Sequence, residues 1–253
     1  MHGNYVNVDT SNRKGLIRAK EMGLVESGKV DVIFTTDVKF AVETLFDEEH
    51  PGRLFALFRH PIHRLVSKFY YMQSAKWERS YDPKLKDLSL LEWATHYNTD
   101  NNFFLTKLSG KKPSELRGQD LREAMKTLRR RFVVGLTDEM EESVRRFNRV
   151  MGVDEKSENK EKCMRLYFGK DVQKKMNAHS HPTISEGSPE WNALYAKNEL
   201  DVRLYNYVVE LFRAQSEILN DFTKQYLLHL EKQVSKLLLS IEASTENESK
   251  TDG

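Results

Sequence analysis

The sequence predicts an α/β domain: a parallel sheet flanked by helices, with a helix-rich C-terminal half. Three observations carry this. Short apolar runs of strand length recur at 30–36, 54–58 and 132–136. Each is followed by a stretch with helical spacing. Strands alternating with helices argue for parallel pairing with helices on both faces.

The chain is organised around Leu54 to Tyr71, LFALFRHPIHRLVSKFYY. Leu54–Phe58 reads as a buried strand, and Arg59 stands where it ends. Pro61 suits the first turn of a helix, because its missing N–H is not needed there and its φ is preset. Ile62, Leu65, Val66, Phe69 and Tyr70 then form the i, i+3, i+4, i+7, i+8 stripe of a helix with one buried face. Arg64, Ser67, Lys68 and Tyr71 fall on or beside the other face. A strand thus delivers an arginine to a helix mouth whose free N–H groups and dipole favour an anion. A serine hydroxyl follows within the same helix.

Upstream, residues 4–8 read as a short strand. Asp9, Thr10 and Ser11 are cap-type residues before a helix over 15–22, and Gly23 is its stop. A strand over 30–36 and a helix over 38–46 follow, with Asp37 between them as an N-cap candidate. The string Gly23-x-x-x-x-Gly28-Lys29 satisfies a phosphate-loop pattern but has the wrong context. It follows a helix and precedes a strand, and Val30 stands where Ser or Thr is needed. Downstream, the helix that begins at Pro61 is expected to continue to Trp77. Helices are expected over 90–97, 103–108 and 121–128, and Asp82-Pro83 and Gly110–Pro113 read as breaks. Arg129–Arg131 is a solvated helix end running into the strand 132–136. Thr137 is expected to cap the next helix, whose apolar positions are Met140, Val144, Phe147 and Met151.

Residues 152–190 are the least regular, and 152–162 read as a charged loop. His179 and His181, at i, i+2 with no acidic or sulfur partner nearby, do not make a metal site. From Trp191 the pattern is helical, with Leu200, Leu204, Tyr207, Val208, Leu211 and Phe212 on one face. A further helix over 222–243 carries a leucine stripe suited to docking on the domain or to self-association, and 244–253 read as disordered. The domain itself is expected to span 1–221.

Composition sets limits. A net charge of +2 is too small to argue for nucleic acid as a partner. One cysteine, Cys163, excludes an internal disulfide. No apolar run approaches the roughly 20 residues of a membrane span. As written the chain carries no address and reads as soluble.

The pattern R-x-P-x-x-R-x-x-S-x-(F/Y), here Arg59, Pro61, Arg64, Ser67 and Phe69, resembles the 3′-phosphate-binding segment of the sulfotransferases. These enzymes use 3′-phosphoadenosine-5′-phosphosulfate (PAPS). The resemblance extends over residues 7–216: 30–46, 132–153 and 198–215 stand in the order expected of a carbohydrate-type sulfotransferase. The last includes the family's N-x-L-D-x-x-L-Y helix at Asn198, Leu200, Asp201, Leu204 and Tyr205. The resemblance implies a P-loop-like sulfotransferase fold, incomplete at its N-terminus, and PAPS as co-substrate without a metal. It implies sulfuryl transfer to a hydroxyl acceptor of carbohydrate class. Arg59 and Ser67 would hold the 3′-phosphate. The family's base usually follows the strand before that segment, where Asp37 is the carboxylate placed to serve, as base or as cap. The family's P-K-x-G-(G/T)-(S/T)-T loop for the 5′-phosphosulfate has no counterpart here. Either the chain is a piece of a longer enzyme, Golgi-anchored as the family usually is, or it is a short protein that kept half a nucleotide site. In the second case little transferase activity is expected, and a non-catalytic binding or scaffold role is the alternative.

Overall fold

In a computed structural model the protein is described over residues 8–97, 99–153, 158–168 and 182–216. The chain divides into two units, Met1–Leu211 and Phe212–Gly253; the account below concerns the first. Residues 4–7 of the strand expected at 4–8, the histidines 179 and 181, the helix at 222–243 and the tail lie outside the described residues.

The architecture is α/β, with a small two-stranded parallel sheet among many helices. Strand β1 (Leu54–Phe58) pairs with β2 (Phe132–Leu136) in the register Leu54 to Phe132 through Phe58 to Leu136. Helices α1 (Arg13–Glu21) and α2 (Val38–Leu45) precede β1, and α3 (Pro61–Ser74) follows it. Then come α4 (Leu90–His96), α5 (Phe103–Ser109) and α6 (Gly118–Arg131), the last running directly into β2. After β2 stand α7 (Met140–Val150), α8 (Glu158–Phe168) and α9 (189–216).

Two apolar clusters support this arrangement. The larger joins the α3 stripe of Ile62, Leu65, Val66 and Phe69 to Leu90, Trp93 and Ala94 of α4 and to Trp191, Leu194 and Val202 of α9. The smaller joins Leu16, Ala19 and Leu24 to Ala41 and Leu45 of α2. Gly135 in β2 is demanded by close approach: a Cβ there would lie 2.8 Å from Leu57 Cδ2, Phe147 Cζ and Ser143 Cβ.

Several expectations are corrected. Residues 30–35 form no strand and join no ladder among the described residues; Asp31 lies in a bend, and Val32 and Phe34 stand exposed. Their apolar pattern is that of a strand, but a strand also needs a paired neighbour, and this segment does not touch β1 through its backbone. Helix α1 is capped by Asn12, whose side chain accepts from Gly15 N–H, while Asp9 holds Ser11 and Asn12. Gly23 does end it, at φ +60°. Helix α3 stops at Ser74 rather than Trp77, because the Ser74 hydroxyl turns back onto the carbonyls of Tyr70 and Tyr71. Helix α4 begins with a capping box between Ser89 and Glu92. Part of the stretch expected to be a charged loop is helical, as α8. Thr137 lies in a 3-10 turn and makes no cap bond; its hydroxyl is buried without a partner among the described residues. The buried positions of α7 are Ser143 and Arg146, not the predicted apolar four. The Ser143 hydroxyl explains its place: it accepts from Leu136 N–H and bonds the carbonyls of Leu136 and Glu139, fastening α7 to the end of β2.

Candidate anion-binding site

The site is the corner between β1 and α3. Strand β1 ends at Phe58, which is buried and lies 5.2 Å from the Phe104 ring. Arg59 and His60 make the turn, and Pro61 occupies the first helical position. The carboxyl ends of parallel strands, with a helix opening there, are where α/β folds bind ligands.

Arg59 is half-buried. Its guanidinium forms no ion pair and no hydrogen bond among the described residues. Ser67 is likewise half-buried, and its hydroxyl has no hydrogen-bond partner among the described residues. Three and four residues apart on one helix are neighbours, so Ser67 shares a face of α3 with Arg64 and Tyr71, with Lys68 adjoining.

Arg64, the second arginine of the motif, is engaged. It donates to Asp100 Oδ2 at 2.9 Å and lies over the Phe103 ring at 4.3 Å. Lys68 donates to the other oxygen of Asp100 at 2.8 Å. Burial alone would raise the Asp100 carboxyl, but Lys68 and Arg64 outweigh it and bring it below the usual carboxylate range. One carboxylate therefore ties two cations of α3 to the loop before α5.

That loop is itself held by α9. Asn198 Oδ1 accepts from Asn102 N–H at 3.0 Å, and its amide donates to the carbonyls of Asp100 and Leu194. Asp201 accepts from Phe104 N–H at 2.8 Å and Leu105 N–H at 2.9 Å, closing the open amino end of α5. Asn102 takes the left-handed conformation, at φ 47°, and its side-chain oxygen accepts from Asp201 N–H. Both Asn198 and Asp201 are fully buried. Burial raises the Asp201 carboxyl to about 6, against the two backbone N–H bonds and Arg64, which favour the anion; Asp100 adds to the rise.

The sequence reading did not single out His60. It stacks on Trp191 at 5.2 Å, meets the edge of Tyr205 at 5.2 Å, and lies 4.7 Å from His63. Its Nδ1 is buried with no partner among the described residues. Burial, helped by His63 and opposed by Asp138, lowers the imidazole to about 4, so it is neutral at pH 7. The aromatic neighbours on α9 thus wall the corner beside Arg59. The signal for this was present: Trp191 and Tyr205 lie 14 residues apart, which returns to one helical face.

Asp37 caps α2, accepting from Phe40 N–H at 3.4 Å through Oδ1, while Oδ2 accepts from Arg13 Nε at 2.8 Å. The Arg13 bond is the main reason its carboxyl stays below the ordinary range. A carboxylate held low with both oxygens engaged is a weak proton acceptor. Arg59, Ser67 and Asp37 accordingly belong to three local settings: an open corner, an open helix face and an occupied cap.

Among the described residues, no group of three or more His, Cys, Asp or Glu side chains could hold a metal, and no helix is long and apolar enough to cross a membrane. No family model, no curated protein and no solved structure matches the chain.

Proposed function

We propose that this chain is a sulfotransferase-like domain whose β1–α3 corner binds the 3′-phosphate of PAPS through Arg59 and Ser67. The observation that carries the reading is Arg59: a half-buried guanidinium at a strand's carboxyl end and a helix mouth, with no carboxylate to neutralise it among the described residues. Burying a cation without a partner is costly, and a phosphate would relieve that cost through a forked, charge-assisted pair. Arg64 would act at one remove, fixing α3 through Asp100 rather than meeting the ligand.

In the reaction such a domain would serve, an acceptor hydroxyl, of a carbohydrate by family resemblance, attacks sulfur in line. The S–O bond to adenosine 3′,5′-bisphosphate breaks with its electron pair leaving on the nucleotide, and the hydroxyl proton passes to a base. The protein's share is positioning, charge stabilisation and receipt of that proton. The engagement of Asp37 by Arg13 and Phe40 favours a second reading, a domain that binds nucleotide without transfer.

Calorimetry with adenosine 3′,5′-bisphosphate and with adenosine 5′-monophosphate tests the site. Arg59→Ala is expected to weaken the bisphosphate roughly ten- to hundredfold, from a loss of about 1.5–3 kcal/mol for one charge-assisted bond, and to leave the monophosphate unchanged. Ser67→Ala should act in the same direction and less. Equal affinity of wild type for the two nucleotides, or an unchanged bisphosphate affinity in both variants, removes the site.

A further inference from the structure

The end of the β1–β2 ladder opposite the anion corner holds a cavity of about 330 Å³. Its apolar lining is Val38 and Val42 of α2, Leu108 of α5, and the first residues of the two strands, Leu54 and Phe132. Those two residues pair at the amino end of the ladder, whereas Phe58 and Leu136 pair at the carboxyl end beside Arg59. At about 3.3 Å per residue the two ends are roughly 13 Å apart, so this hollow is separate from the corner. Its volume is in the range of pockets that take small organic ligands, and its apolar lining is aliphatic except for Phe132.

The polar rim is charged, and its charges do not balance. Helix α6 contributes Glu123, Lys126, Thr127, Arg130 and Arg131, at spacings of three and four that keep them on one side of the helix. Helix α2 adds Lys39 and Glu43. Both carboxylates are taken: Glu43 lies 3.8 Å from Lys39 Nζ, and Glu123 accepts from Lys126 Nζ at 2.9 Å. Lys39 also donates to the Ser109 carbonyl at 3.1 Å. The Arg130 and Arg131 guanidiniums line the same hollow and make no ion pair and no hydrogen bond among the described residues. Cations at a helix's carboxyl end complement its dipole, which accounts for basic residues in the last turn of α6. It does not require two of them over an apolar hollow.

We propose that this hollow binds an aliphatic carboxylate of about eight to ten carbons, with its chain against Val38, Val42, Leu54 and Leu108 and its head group at Arg130 and Arg131. Each part of the site selects part of the ligand. The planar guanidinium fork matches a carboxylate with two parallel N–H bonds. The aliphatic lining favours a saturated chain, each buried methylene raising affinity about fourfold. Chain length follows from volume: at about 30 Å³ for a water-sized group, 330 Å³ accommodates about ten. A neutral chain would leave both arginines unanswered, and a polyanion would meet Glu43 and Glu123 at the same rim. The bound ligand would join α2, α5 and α6 over the amino end of the sheet. This site does not depend on the nucleotide reading of the corner.

The test is titration of the full chain, labelled in its Ile, Leu and Val methyl groups, with octanoate, 1-octanol and acetate, read by methyl NMR. Octanoate is expected to bind with a dissociation constant of about 1 mM or tighter. It should shift the Val38, Val42, Leu54 and Leu108 methyls and leave those of Ile62 and Val66, on α3 at the corner, in place. Octanol, which lacks the charge, and acetate, which lacks the chain, should each bind at least about tenfold more weakly. Arg130→Gln combined with Arg131→Gln, both at exposed positions, should keep the methyl spectrum of the folded chain and weaken octanoate roughly tenfold. No methyl shift at about 10 mM octanoate overturns the proposal. So does equal affinity for octanol, an unchanged octanoate affinity in the folded double variant, or a set of shifts confined to methyls outside the hollow.

Discussion

Asp201 should make stability depend on pH in an unusual direction. Its carboxyl is fully buried under α5 and raised to about 6, first by burial and then by Asp100, against a usual value of 3.8. A carboxyl whose folded value lies above its unfolded value holds its proton more tightly in the native state. The fold is therefore more stable when Asp201 is protonated, and stability attributable to this group falls as pH rises from about 4 to about 6. A rise of that size corresponds to roughly 3 kcal/mol across the window. His60 acts oppositely over nearly the same range. Its imidazole is lowered to about 4, so stability from that group grows as pH rises from about 4 to 6.5. The wild-type profile alone therefore mixes two opposed effects, and the difference between wild type and Asp201→Asn separates them. Urea unfolding of both proteins at half-unit steps from pH 4.5 to 7 is the assay. The advantage of wild type over the variant should shrink steadily as pH rises, by on the order of 2–3 kcal/mol, and level off above pH 6.5. Parallel profiles for the two proteins would refute the reasoning, because they would mean that the two N–H bonds from Phe104 and Leu105 hold the carboxylate ionised despite burial.

Two further perturbations concern the seam between β2 and α7. Gly135→Ala should lower stability by about 1–3 kcal/mol, because the new methyl meets the Phe147 ring and the Ser143 Cβ as well as the more yielding Leu57 side chain; an unchanged thermal midpoint would show that the seam opens at no cost. Ser143→Ala should lose about 1–3 kcal/mol, since Leu136 N–H is left buried without its acceptor; Ser143→Thr, which keeps the hydroxyl, is expected to lie between the two in denaturant midpoint.

What was legible in the sequence was local. The corner from Leu54 to Tyr71 could be read because each signal sits within a few residues of its effect: an apolar run of five, a proline at the first helical position, a stripe at helical spacing. The structure keeps the strand, the proline and the stripe, with Phe69 and Ile62 in the larger core, but of the strand expected to be buried only Phe58 is so and Leu57 stands exposed. The cap at Asp37 was readable for the same reason. Residues 30–36 failed because a strand is a relation between two segments, and composition describes one. Helix α7 failed because its shielded face is set by the carbonyls at the end of β2, which reward a hydroxyl at Ser143 more than a methyl.

The buried polar pair on α9 illustrates the limit. Trp191, Leu194, Asn198, Asp201, Tyr205 and Val208 follow one another at spacings of three and four, so the amide and carboxylate lie on the apolar stripe of their own helix. That anomaly can be seen in the sequence. Its resolution cannot, because the partners lie nearly a hundred residues upstream, at Asn102, Phe104 and Leu105. The consequence reaches the candidate site. Asn198 and Asp201 fix the loop that carries Asp100; Asp100 fixes Arg64 and Lys68; and these two cations lie on the helix that carries Ser67. With Arg64 and Lys68 sharing the Asp100 carboxylate, the Arg59 guanidinium remains at the corner without a carboxylate among the described residues. On the function proposed above, the engagement of Arg64 and Lys68 by Asp100, with Arg59 left without a carboxylate among the described residues, would direct an incoming anion to the corner between β1 and α3.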